Sequence, residues 1–196
     1  MSRVEFFYDF VSPYSYLAST QIEAVCARAG ADLAWRPFLL GAVMKATGNR
    51  PPAEIAAKAA YMLADLQRWA GHYGVPYRFP PVFPVNSLRA LRAAYVAAGE
   101  GKIVPFTHAA YRAYWVEGRD LAADDVLRSI LAEVGLDAAA TLSRIGEQEI
   151  KDALRLATDE AVSRGAFGAP AIFVGDHLFF GNDRLDFVEA ELKKRA

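Results

Sequence analysis

A single cysteine, Cys26, stands among the 196 residues, so the chain has neither an internal disulfide nor a dithiol redox pair, and it fits a reducing compartment. The three histidines, His72, His108 and His177, are too scattered for metal-ligand spacing, and no metal site is expected. Neither sign of charge dominates. Lys and Arg total 22 against 23 Asp and Glu, a net charge of -1, which removes the electrostatic footprint that nucleic acid or an anionic membrane surface requires. No apolar run approaches the length of a membrane span, and the first residues lack the basic region, apolar stretch and small-residue cleavage site of a signal peptide. A cytoplasmic protein is the expectation. Phosphate loops, dinucleotide fingerprints and the G-x-S-x-G elbow of serine hydrolases are likewise missing.

What is present is enough apolar residue, 54%, to bury a full core as one domain or one domain with an insertion. Residues 3–9 and 32–38 read as short buried strands rich in Val, Phe, Tyr, Leu and Trp, on either side of a helix over 13–29 that Gly30 terminates. From about 45 to 165 nearly everything is helical. Ile55, Ala59, Met62, Leu66, Trp69 and Tyr73 repeat by threes and fours, with Lys58, Asp65, Arg68 and His72 on another face, and later runs end at Gly99, Gly118, Gly135 and Gly146. Residues 78–84, RFPPVFP, form a stiff connector. Strands return at 171–174 and 177–180, a hairpin across Gly175-Asp176, before a last helix from about Asp183. The order β-α-β, helices, β-β-α is that of an α/β fold: a thioredoxin-like domain of residues 1–44 and 165–196 with an all-helical insertion of residues 45–164.

The chemistry is expected at the strand-to-helix junction FFYDFVSPYSYL, residues 6–17. Pro13 suits the first helical position, where its fixed φ is already helical and its missing N–H would have been unpaired. Ser12 then falls at the N-cap, next to unpaired N–H donors and the positive end of the helix, where an anion such as a thiolate is favoured. By itself a Ser-Pro at this position only caps a helix. In thioredoxin-like oxidoreductases the same junction carries C-x-x-C; with Ser12 and Ser15 in those places, disulfide exchange is excluded because it needs a protein thiolate. Gly168-Ala169-Pro170 before a strand looks like their cis-proline loop. A cis bond there would turn the N–H and C=O of Ala169 outward, ready to pair with an extended peptide as an added strand does.

With Ser12 in place of the first cysteine, TGNRPP at 47–52 and FFGNDRL at 179–185, the chain resembles the 2-hydroxychromene-2-carboxylate isomerases and kappa-class glutathione transferases, DsbA-like relatives, over nearly its whole length. The resemblance implies an isomerase that interconverts 2-hydroxychromene-2-carboxylate and trans-o-hydroxybenzylidenepyruvate through a transient glutathione adduct, with glutathione a cofactor regenerated each turnover. It also implies a homodimer and a role in aromatic compound degradation. The implied catalytic residue is Ser12. Glutathione would contact Ser12, Asn49, Lys58, Ala169, Pro170, Gly181, Asn182 and Asp183, with the Asp183 carboxylate on the γ-glutamyl α-ammonium and Asn182 with loop N–H groups on its carboxylate. The small aromatic carboxylate substrate would meet Lys45, Asn49, Arg50, Asn86 and Arg89. Which of Lys45, Asn49, Lys58, Asn86 and Arg89 serve substrate and which serve glutathione stays open at this point, as does the division of Tyr8, Phe10, Tyr14, Phe38, Tyr61 and Trp69 between core and pocket. The alternatives are a kappa-like glutathione transferase or peroxidase, and a non-catalytic thioredoxin-fold binding protein.

Overall fold

The computed structural model describes residues 2–195. Strand β1 (Arg3–Tyr8) lies parallel to β2 (Asp32–Pro37), with Phe6 opposite Trp35, and antiparallel to β3 (Ala171–Val174), with Phe6 opposite Ile172; β3 turns back into β4 (His177–Phe180). The four-stranded sheet therefore has the order β2-β1-β3-β4. The second half of β1, Phe6-Phe7-Tyr8, is apolar and fully buried because both faces are covered there, and successive side chains serve opposite layers, whereas Arg3 is exposed and Glu5 half-buried. Phe6 and Tyr8 pack with Trp35, Phe10 and Tyr111 on one side, whereas Phe7 packs with Phe38 and Phe173 on the other.

Between β1 and β2 the chain forms not one helix but two, α1 (Pro13–Ser19) and α2 (Ile22–Arg28). The continuous helix expected over 13–29 breaks at Thr20 and Gln21. There the Ser19 hydroxyl donates to Tyr16 O (2.6 Å) and the Thr20 hydroxyl to Leu17 O (2.7 Å), giving the backbone alternatives to the i, i−4 ladder. Gly30 closes the unit with φ +60.

The helical segment comprises α3 (Leu40–Thr47), a 3-10 turn (Pro52–Glu54), α4 (Ala56–Tyr73), α5 (Leu88–Gly99), α6 (Ile103–Trp115), α7 (Asp124–Glu133), α8 (Ala138–Arg144) and α9 (Gln148–Ser163). α3 already begins at Leu40, so position 45 falls inside a helix. The α4 stripe buries Met62, Leu66 and Ala70, but its first member, Ile55, is 53% exposed and stands outside the core. A second 3-10 turn (Asn182–Arg184) leads from β4 into α10 (Leu185–Lys194).

The connector at 78–84 is fixed to α6. Arg78 N donates to Trp115 O (2.7 Å), Tyr114 OH to Val82 O (2.8 Å), and Phe79 and Phe83 lie on the Trp115 ring. Cys26 is in the core, where burial and then the Glu23 charge push its thiol up to about 11. Among the described residues no group of three or more His, Cys, Asp and Glu side chains could hold a metal ion, and no helix is long and apolar enough to cross a membrane.

Candidate functional site

Ser12 is the N-cap of α1, with extended backbone (φ -86, ψ 116), and Pro13 occupies the first helical position. The residue is only 4% exposed, and its hydroxyl makes two bonds. The Ser15 N–H can only donate and the Ala169 carbonyl can only accept, so Ser12 Oγ accepts from Ser15 N (3.2 Å) and donates to Ala169 O (3.0 Å). Tyr16 N is taken by Ser12 O and Pro13 has no N–H, which among the described residues leaves the Tyr14 amide as the free donor of the first turn. Because α1 has seven residues, its local N–H groups, rather than a long helix dipole, set the electrostatics at this end.

Asp9, three residues upstream, holds the junction in place. It is 1% exposed, and its carboxylate accepts from Val11 N (3.1 Å) and Leu40 N (2.9 Å), joining the β1–α1 turn to the start of α3. Burial pushes its pKa up, opposed by the Ser87 hydroxyl and by the amides of Leu40, Val11 and Phe10, all of which favour the carboxylate. The Asp9 carbonyl accepts from Ser12 N (3.1 Å), and Trp115 Nε1 donates to Phe10 O (2.8 Å).

The Ala169–Pro170 peptide bond is cis, as expected from the loop, and Phe83–Pro84 is a second cis bond that the sequence reading did not anticipate. The expectation that both backbone groups of Ala169 point free is corrected. Its carbonyl is held by Ser12, while its N–H has no hydrogen-bond partner among the described residues. Pro170 does not reach the ligand space; its carbonyl accepts from Gly181 N (3.2 Å), which ties the cis-proline loop to the turn after β4. A Cβ at Gly168 would meet the edge of the Phe180 ring at 2.7 Å, so glycine lets this loop lie against β4 without displacing that ring.

These segments enclose a cavity of about 1410 Å³. Ser12, Asn49, Arg50, Lys58, Asn86, Ala169, Gly181, Asn182 and Asp183 all lie on its wall, brought together from five separate stretches of chain. Lys45 and Arg89 do not. Lys45 is on the outward face of the last turn of α3, whereas Gly41 and Met44 face the cavity, and Arg89 is paired with Asp124 on α7 (2.6 Å).

Several wall residues have defined partners. Asn49 Nδ2 donates to Phe167 O (2.7 Å) and its Oδ1 accepts from Arg50 N (2.8 Å), a clamp between the 48–52 segment and the cis-proline loop. Asn86 Oδ1 accepts from Leu88 N (3.2 Å) at the start of α5. Asn182 is buried and turned toward Tyr73, whose hydroxyl donates to Asn182 O (2.8 Å). The Asp183 carboxylate is engaged by Arg184 (2.5 Å). Lys58 and Arg50 have no ion-pair partner among the described residues and give the wall its free positive charge.

Tyr14, Tyr61 and Trp69 face the cavity, while Tyr8, Phe10 and Phe38 are core. Lys58 and Asp65, read from the sequence as a stripe away from the apolar face, also line it. Sequence reasoning gave no role to Asp9, Asp65, Ser87, Phe167 or Phe180. Asp9 carries a signal that could have been used, an acidic residue directly after the apolar run Phe6-Phe7-Tyr8; the others carry none.

A model of the DSBA-like thioredoxin domain matches residues 3–193. A 2-hydroxychromene-2-carboxylate isomerase of Sphingobium xenophagum is 38% identical over 191 residues, covering 96% of this chain and 97% of that one. Glutathione S-transferase kappa 1 of Homo sapiens is 28% identical over 203 residues, with coverage of 94% and 88%. Among solved structures, a 2-hydroxychromene-2-carboxylate isomerase superposes with a TM-score of 0.90 at 29% identity, covering 98% of this chain and 95% of that one.

Proposed function

The chain belongs to the DSBA-like thioredoxin domain family, beside its 2-hydroxychromene-2-carboxylate isomerases, and from this premise we propose that it is a glutathione-dependent isomerase of 2-hydroxychromene-2-carboxylate and trans-o-hydroxybenzylidenepyruvate. The observation that carries the reading is Ser12. It stands where DsbA-type enzymes hold a cysteine, is buried at a helix N-cap, opens onto a large cavity and has no cysteine near it, so the site can bind a thiolate and cannot exchange a disulfide.

The residues present fit glutathione. Ala169 N–H is free to pair with an extended cysteinyl backbone, Asn182 and the turn amides lie where a γ-glutamyl group would end, and Lys58 and Arg50 offer cations for a carboxylate. When bound, glutathione supplies a sulfur nucleophile that can add to and leave a conjugated carbon, so that a bond which is double before and after can rotate in between. The chain's part is electrostatic and positional. Ser12 turns its proton from Ala169 O to the sulfur, the Tyr14 amide adds a second donor, and the freed Ala169 carbonyl can accept the ligand's own N–H. Net redox change is not required.

Asn49, Arg50, Lys58 and Asn86 are the wall residues for the substrate carboxylate and its oxygens, and Tyr14, Tyr61 and Trp69 form the apolar surface for its ring. On the same reading the enzyme is cytoplasmic and dimeric. Titrating reduced glutathione in the ultraviolet, alone and with saturating protein, tests the site. Thiolate absorbance is expected near neutral pH in the complex, well below the ordinary thiol range, because both Ser12 and the Tyr14 amide favour the anion. An unshifted thiol titration would contradict the reading. The kappa-transferase alternative shares this outcome and differs in consuming glutathione.

A further inference from the structure

The chromene carboxylate of the proposed reaction is a cyclic hemiketal, in which one saturated carbon carries the hydroxyl, the carboxylate and the ring oxygen. Its ring double bond is therefore not conjugated with a carbonyl, and a thiolate has no acceptor until the ring opens. Opening breaks the bond from that carbon to the ring oxygen, turns the hydroxyl into a ketone, and moves one proton from the hydroxyl to the ring oxygen, which becomes the phenol. Ser12 and the Tyr14 amide face the sulfur in this reading and leave that proton to another group.

The cavity wall carries few groups that can move it. No histidine is among its described residues. Of its carboxylates, Asp9 is held by the amides of Val11 and Leu40, Asp183 is paired with Arg184 on the turn after β4, and Glu54 is exposed on the 3-10 turn. Asp65, half-buried on α4, has two phenols as its hydrogen-bond partners among the described residues: Tyr14 OH donates to Oδ2 (3.2 Å) and Tyr61 OH to Oδ1 (3.4 Å). Phenols orient a carboxylate without cancelling its charge, and each oxygen keeps an acceptor position. Tyr14 is the second residue of α1, two positions from Ser12, so its phenol is anchored to the turn that faces the sulfur. Burial, and then the Asp65 charge, raise that phenol above its ordinary range, which keeps it protonated.

We propose that Asp65 and Tyr14 are the acid–base pair that opens the hemiketal ring, an assignment that rests on the isomerase reading. The Asp65 carboxylate takes the proton of the hemiketal hydroxyl, and that oxygen's electron pair forms the ketone as the bond to the ring oxygen breaks. The ring oxygen leaves with the electrons of that bond and takes the Tyr14 proton, and Asp65 returns its own proton to Tyr14. Both side chains end as they began, and one proton has crossed the substrate. The open ketone is then conjugated with the double bond, beside the Ser12 end of the cavity where the thiolate is held.

Two substrates separate ring opening from rotation. The chromene carboxylate needs both steps, whereas cis-benzylidenepyruvate, with hydrogen in place of the phenol, is already open, cannot close and needs rotation alone. Each is followed in the ultraviolet with reduced glutathione and wild type, Tyr14→Phe or Asp65→Asn, with circular dichroism recorded for each variant. Tyr14→Phe keeps the ring and the backbone amide, so the thiol titration of bound glutathione is expected to match that of wild type. On the chromene both variants are expected to lose about a hundred- to ten-thousandfold in kcat/KM, the usual share of a general acid or base. On benzylidenepyruvate they are expected to lose far less, so the ratio of the two activities falls by about a hundredfold or more. A variant that converts the chromene like wild type, or that loses both substrates equally, overturns the assignment while leaving the glutathione site intact. Wild type acting on the chromene and not on benzylidenepyruvate overturns it as well, because the phenol oxygen would then serve the rotation step. If wild type with glutathione acts on neither substrate, the isomerase reading fails together with the assignment.

Discussion

Replacing Ser12 with alanine is expected to lower isomerase turnover roughly ten- to thousandfold, the range in which loss of one donor to a bound or developing anion usually falls. Affinity for glutathione is expected to fall less, because Ala169, the turn after β4 and the cavity cations are untouched. The fold is expected to survive. Alanine removes one N-cap bond, that from Ser15 N, which costs about 1 kcal/mol, and it frees the Ala169 carbonyl toward a cavity large enough to admit water. Steady-state kinetics with the chromene carboxylate, together with a thermal melt, distinguish the two roles of this hydroxyl. A variant that melts slightly earlier but turns over like wild type would reduce Ser12 to a plain helix cap. Ser12→Cys is expected to add a reactive thiol without efficient dithiol oxidation, since Ser15 offers no resolving sulfur.

Trp115→Ala is expected to be the most damaging change to stability. The side chain is completely buried at the end of α6, where it meets the rings of Tyr77, Phe79, Phe83 and Tyr114, and its indole N–H donates to Phe10 O two residues before Ser12. Truncating a buried tryptophan costs about 3–5 kcal/mol, a large share of the roughly 5–15 kcal/mol that a domain has in total. In a chain of this size that corresponds to a melting temperature lower by roughly 6–20 °C. Trp115→Phe keeps most of the packing and leaves Phe10 O without its donor, so a loss of about 1–3 kcal/mol is expected. A melt within 3 °C of wild type for the alanine variant would mean that the connector at 78–84 does not depend on this ring.

The sequence revealed the parts of this molecule that repeat a simple period. β1, β2 and the β3–β4 hairpin declared themselves through dense apolar runs bounded by Gly, Asp and Pro, and the junction at Ser12 and Pro13 through cap chemistry that is local. What it concealed depends on helical phase or on partners far along the chain. Lys45 and Met44 are neighbours in sequence, but about 100° apart on α3, so only the latter faces the cavity. Arg89 was a reasonable cation for a carboxylate until α7 brought Asp124 to it from 35 residues away. Asp65 looked like solvent-facing helix because nothing in its neighbourhood announces that Tyr14, 51 positions earlier, donates to it. The break at Thr20 was within reach: adjacent serine and threonine hydroxyls can compete for carbonyls one turn back, and here both do.

The most direct test is to follow the ultraviolet spectrum of 2-hydroxychromene-2-carboxylate after adding the protein, once with reduced glutathione and once without it. Rapid equilibration with trans-o-hydroxybenzylidenepyruvate is expected only when glutathione is present, at substoichiometric amounts relative to substrate and with none consumed. Equal rates with and without glutathione, or no acceleration in either, would contradict a mechanism in which the Ser12 end of the cavity holds a catalytic thiolate.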